Sequence, residues 1–150
     1  MELWDSIAGD AASESPLWSD ALRTSHARER VAIFSRLCDD RFALGLETIY
    51  EGYLCHYGRP RLFAPADAEL ALLLGDYLYA HGLVRIAATG NVRAVAELAE
   101  LISLCSRLRA EREDGDAQAW LAAAAALSAR PADESVADAA LEAHRARVPR

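Results

Sequence analysis

Glu47 and Glu51 are the residues of this chain whose type and spacing most directly suggest chemistry. Four positions apart, they project from one face of a helix. Asp40 lies two turns earlier and roughly shares that face. Carboxylates arranged in this way offer oxygen ligands to a hard divalent ion such as magnesium. They equally suit the solvated edge of an amphipathic helix. The sequence by itself leaves both readings open. Asp39 and Asp40 have a simpler role as a helix cap, because aspartate oxygens satisfy the free amides of a first turn.

A second group of polar residues follows in His56-Tyr57-Gly58-Arg59-Pro60-Arg61. Arg59 or Arg61 beside that turn can meet a phosphate, or serve as an ordinary surface group. His26, His56, His81 and His144 have no acid or nucleophile at a matched spacing, so no Ser-His-Asp or Cys-His arrangement is readable and no glycine-rich phosphate loop occurs. His81 is expected as a satisfied core or interface histidine. Asp133, Glu134 and Asp138 have the wrong spacing for a metal and fit an acidic helix start. Cys38, Cys55 and Cys105 are odd in number, far apart and set in apolar helical pattern. They read as small buried hydrophobes in a reducing compartment, with no Cys-x-x-Cys spacing for a metal.

These residues must be positioned by helices. Hydrophobic residues make up 53% of the 150 positions, alanine is abundant, and strand-like alternation is absent. That composition predicts an all-α, single-domain bundle of about six helices, with a core large enough to need neither disulfide nor structural metal. Residues 1–16, with Gly9, Pro16 and several Ser and Asp, predict a loose lead segment holding one short helix over 3–8; residues 17–150 form the helical domain. One long helix or two short ones fit 17–37. A helix over 40–57 carries Phe42, Leu46, Ile49, Tyr53 and Tyr57 as one stripe, and Gly58 and Pro60 end it. Pro65 opens the next, which runs to about residue 88. The clearest periodicity follows Thr89-Gly90-Asn91, with Val92, Val95, Leu98, Ile102, Cys105 and Leu108 on one face. A helix over 117–129 and a last one from Pro131 and Asp133 toward residue 147 complete the series.

The net charge is −7, and all sixteen basic residues are arginine. An acidic chain without a basic cluster is a poor partner for nucleic acid or anionic membrane surfaces. The N-terminus shows no secretory pattern, so a cytoplasmic location is expected. The most apolar stretch, 68–80, is interrupted by Asp76 and falls short of the roughly 20 residues of a span, so no transmembrane segment is expected.

The turn at Gly58-Arg59-Pro60 leads to Leu72-Leu73-Leu74-Gly75-Asp76-Tyr77-Leu78-Tyr79-Ala80-His81-Gly82-Leu83. Together they resemble the trans-polyprenyl diphosphate synthase family, in which an Arg-Gly-x-Pro turn enters a helix with Leu-x-Gly-Asp-Tyr-Leu-x-Ala. The likeness covers about residues 40–110 and implies the front half of the isoprenoid synthase fold. In that family an Asp-Asp-x-x-Asp motif before the turn holds the magnesium ions that bind substrate diphosphate. Here the equivalent positions read Glu47-Thr48-Ile49-Tyr50-Glu51. The arginine doublet that contacts diphosphate is His56-Tyr57, and the lysine that helps hold isopentenyl diphosphate has no counterpart in a chain without lysine. The family's second aspartate-rich motif is unmatched.

The resemblance therefore implies no catalytic residue. Glu47, Glu51 and Arg59 become vestigial substrate-binding positions, with no cofactor unless Glu47 and Glu51 retain magnesium. Gly75, Asp76, Tyr79 and Gly82 become partner-binding positions, because the corresponding region of the family lies near its dimer interface. Ala68, Gly75 and Gly82, seven apart, allow close helix approach, and Asp76 needs a partner such as Tyr79 or Arg85 if buried. The expected function is a non-catalytic or regulatory subunit of a heteromeric polyprenyl diphosphate synthase, supplying quinone side chains or carrier lipids, as a dimer with a catalytic synthase subunit or with itself. Two alternatives stand beside it: a minimal magnesium-dependent prenyl diphosphate enzyme acting as a homodimer, and a helical interaction module unrelated to prenyl transfer.

Overall fold

Helix α3, Asp40–Tyr57, is the axis of the fold, because every residue from 45 to 55 along it is buried. Phe42, Leu46, Ile49, Tyr50, Tyr53 and Leu54 form a broad apolar face, each 2% exposed or less, and Glu47, Thr48 and Glu51 on the other side are buried as well. Such a helix must be surrounded by other elements. The computed structural model describes residues 2–149, and among these the remaining helices supply the cover: α1 Leu3–Glu14, α2 Pro16–Ala21, α4 Ala68–Ala87, α5 Val92–Ala110, α6 Asp116–Ala126 and α7 Glu134–Arg147. The chain is all-α, with no strand among the described residues.

Two apolar clusters share α3. The larger joins α3 to α5, α6, α7 and the segment holding Ile33, Phe34 and Leu37, with Trp120 of α6 enclosed by Phe34, Tyr50 and Tyr53. The smaller joins Trp4 and Ile7 of α1 and Trp18 of α2 to Leu62, Phe63, Leu74 and Leu78. A fully buried large apolar side chain contributes about 1.5–3 kcal/mol, so these clusters carry most of the stability.

Helix α4 lies against α3 through glycine. A Cβ on Gly52 would stand 2.8 Å from the Gly75 carbonyl oxygen, and one on Gly82 would stand 3.1 Å from that of Gly45. Four glycines, two per helix, let the backbones approach this closely. The seven-residue spacing of Gly75 and Gly82 thus serves packing inside the chain, while Ala68 of the same stripe is exposed.

The ends of the helices follow their caps. Asp67 accepts from Leu70 N at 2.8 Å, Asn91 from Ala94 N at 3.0 Å, and Asp133 from Ser135 N at 2.8 Å. Helix α4 therefore starts after Asp67, and Pro65 lies ahead of it. Asp39 stands at the N-cap of α3 without a side-chain cap bond; its Oδ1 instead accepts from Ala129 N at 3.3 Å. Gly58 ends α3 in extended geometry, and glycine is required there because a Cβ would stand 2.7 Å from the Arg147 carbonyl oxygen.

Two expected elements differ. Residues 3–14 form one helix whose Trp4, Ile7, Ala8 and Ala11 are buried at helical spacing, so the lead segment is a packed part of the structure and not loose. After α2, residues 22–39 hold only two 3-10 turns, Ser25–Ala27 and Ser35–Leu37, in place of the expected helix. The backbone here pairs with the segment after α3: Arg23 N donates to Leu62 O at 2.9 Å, Glu29 N to Arg61 O at 3.1 Å, and Ala64 N to Ala21 O at 2.7 Å. Those partners replace the intrahelical ladder.

Candidate functional site

Glu47 and Glu51 face inward from α3, and both are fully buried. The expectation that they form the solvated edge of the helix is corrected by the loop after α3, which returns Arg61 across that face. Arg61 is itself 0% exposed. Its Nε donates to Glu51 Oε1 at 3.0 Å, its Nη1 to Glu47 Oε2 and to Val31 O at 2.7 Å, and its Nη2 to Glu47 O at 3.3 Å. The guanidinium lies over Trp4 at 4.8 Å and beside Tyr50 at 5.1 Å.

The two oxygens left by Arg61 are also taken. Glu51 Oε2 accepts from Leu62 N at 2.7 Å, and Glu47 Oε1 accepts from Ser35 N at 3.4 Å. Every oxygen of the pair has a donor inside the protein. Burial would by itself lower the Arg61 pKa, but the two carboxylates outweigh it and hold the guanidinium charged. A buried ion cluster is tolerated when its charged groups are hydrogen-bonded, and here all four carboxylate oxygens and each guanidinium nitrogen have a partner. Magnesium would need those oxygens freed and water admitted. No group of three or more His, Cys, Asp or Glu among the described residues has metal-binding geometry.

Arg59 is placed elsewhere. It is exposed and lines an outer cleft of about 440 Å³ together with Arg23 and Pro65, in which neither glutamate takes part. The structure thus separates Arg59 from Glu47 and Glu51. Arg61, which read as a surface or phosphate-binding group, is the centre of the buried cluster.

The expected partner positions divide in two. Gly75, Tyr79 and Gly82 are buried, with the two glycines in the seam against α3. Asp76 points outward, its side chain 63% exposed, and lies 3.2 Å from Nε2 of His56. Tyr79 and Arg85 are not its partners; Arg85 pairs with Asp10 of α1. His56 also bonds the Leu72 carbonyl at 3.1 Å, which clamps α3 to α4. His81 stacks on Tyr77 and lies 3.6 Å from Asp10.

The outer side of α4 remains apolar. Leu73, Ala80 and Val84 share one stripe at i, i+7 and i+11, with Leu72 beside it; Leu72, Leu73 and Val84 are 53%, 54% and 64% exposed. Among the described residues α4, 20 residues long, is the one helix long and apolar enough to cross a membrane, with mean hydropathy 1.2 over an 18-residue window. Its glycine seam and the buried Leu74, Leu78 and Ile86 make it a core helix with one bare face.

Sequence reasoning missed a second polar assembly. Tyr53 donates to Asp116, Arg109 Nε donates to the same Asp116 oxygen at 2.7 Å, and Arg109 Nη2 donates to Tyr53 Oη at 3.0 Å. Tyr50 Oη lies 2.8 Å from Nδ1 of His144, a residue 3% exposed. The only signal was the aromatic excess on α3, which read as core; its hydroxyls meet partners about 60 and 90 residues away, beyond any local pattern. No family model, curated protein or solved structure matches the chain.

Proposed function

We propose that this chain is a non-catalytic subunit of a heteromeric polyprenyl diphosphate synthase, which binds a catalytic synthase subunit and leaves the metal chemistry to it. The observation that carries this reading is the closure of the Glu47–Glu51 pair by Arg61. At the positions where the resembled family holds magnesium, this chain holds a buried ion cluster with every carboxylate oxygen occupied. That arrangement supports a helical frame kept for assembly, and it disfavours the homodimeric magnesium enzyme.

The outer face of α4 is the surface proposed for the synthase. Leu72, Leu73 and Val84 supply exposed apolar area, and Asp76 at 63% exposure supplies a charge that can set register. Interfaces of this kind gain most from a central apolar patch with polar rim. The three free, buried cysteines accord with a reducing, cytoplasmic setting.

The test is co-expression with prenyl synthases of the same source, followed by purification on this chain. The expected result is a stable complex whose chain elongation exceeds that of either component. A synthase fully active alone and absent from the purified material would end the proposal. Binding without any gain in prenyl transfer would favour an interaction module instead.

A further inference from the structure

We propose that the cleft between the α5–α6 turn and α7 binds a small organic anion, a carboxylate or phosphate head group on a short apolar body. The cleft measures about 590 Å³, within the range of small-molecule sites. It is distinct from the buried Glu47–Glu51 cluster and from the outer face of α4.

His144 supplies the donor. The Tyr50 hydroxyl is fully buried, and its one hydrogen-bond partner among the described residues is Nδ1 of His144. Burial keeps that phenol protonated, and a buried hydroxyl must place its hydrogen on an acceptor. Tyr50 therefore donates to Nδ1, which puts the imidazole hydrogen on Nε2. Nε2 has no hydrogen-bond partner among the described residues, and His144 lines the cleft.

The back wall adds no competing charge, because Arg109 and Asp116 neutralise each other there. At the rim, Arg112 on the α5–α6 turn and Arg145 on α7 both line the cleft, and neither side chain forms an ion pair or hydrogen bond with another described residue. Glu113 and Asp114 share the rim, and Asp114 is engaged in an interaction of its own. Two unpaired guanidiniums and one imidazole N–H suit a planar carboxylate or a phosphate. Leu141 and Val148, which also line the cleft, offer apolar contact to the body of the ligand. The turn bends through Arg112 at φ 57° and Gly115 at φ 134°.

The test is NMR titration of the intact chain with hexanoate, inorganic phosphate and hexanol, reading the His144 ring and the Gly115 amide. Hexanoate or phosphate should give saturable shifts, and the one that binds tighter identifies the head group. Arg112→Gln with Arg145→Gln, both on exposed residues and checked for unchanged helix content, should weaken binding at least tenfold. The proposal is overturned if neither anion saturates, if hexanol binds as well as hexanoate, or if the double variant binds like the parent. Because none of these readouts involves a synthase, the outcome is independent of the subunit assignment.

Discussion

Arg61 donates to Glu51 at 3.0 Å with both side chains wholly excluded from solvent. The pair joins the loop after α3 to the helix that encloses it, and Glu47 completes the cluster. Removing the cation would strand two carboxylates in the core. Arg61→Met should therefore destabilise the fold by about 3–5 kcal/mol, read as a lower urea midpoint. The triple variant with Glu47→Gln and Glu51→Gln should recover part of that loss. Equal midpoints for the parent and Arg61→Met would show that the cluster contributes nothing.

The glycine seam makes a second expectation. Gly52→Ala places a methyl 2.8 Å from the Gly75 carbonyl oxygen, a backbone atom that cannot move alone, and should cost about 1–3 kcal/mol through overpacking. Gly9→Ala in α1 meets nothing within 4 Å. It should stabilise by about 0.5–1 kcal/mol through helix propensity. Thermal melts of the two variants should move in opposite directions.

Acid should weaken the fold through His144. Burial pushes its pKa down to about 4 from the usual 6.5, with help from the nearby Arg109 and Arg145 charges and against the pull of Asp116. Between those values the unfolded chain binds a proton that the folded chain refuses. Stability therefore rises with pH through this window and is lost as pH falls from 6.5 toward 4, by about 3 kcal/mol in full. His144→Gln keeps an acceptor for Tyr50 and removes the titration. Urea midpoints at pH 7 and pH 4.5 should fall further for the parent than for this variant.

Much of this architecture was legible in the residues. The bounds of α3 follow from Asp40 and Gly58, and those of α5 from Asn91 and its apolar period. Helix α1 was underread because two of its four buried positions are alanines, which contribute little hydrophobic signal. Residues 22–39 were misread because Ile33, Phe34 and Leu37 keep helical spacing, while the backbone amides of Arg23 and Glu29 in the same stretch bond to the segment after α3. The buried acids had no such clue. Glu47 and Glu51 lie off the apolar stripe of α3, where a solvated edge is the ordinary arrangement. Nothing local marks Arg61 as their partner, since an arginine beside a turn is ordinary at a surface.

The most direct measurement is reconstitution: the prenyl transfer rate of a candidate synthase is followed as this chain is added, alongside the variant with Leu73→Glu and Val84→Glu on the outer face of α4. The expected result is a rate that climbs and saturates at one chain per synthase subunit, with no climb for the variant and no diphosphate release by the chain alone. A magnesium-dependent release of diphosphate by the isolated chain, abolished by Glu47→Ala, would contradict a non-catalytic role.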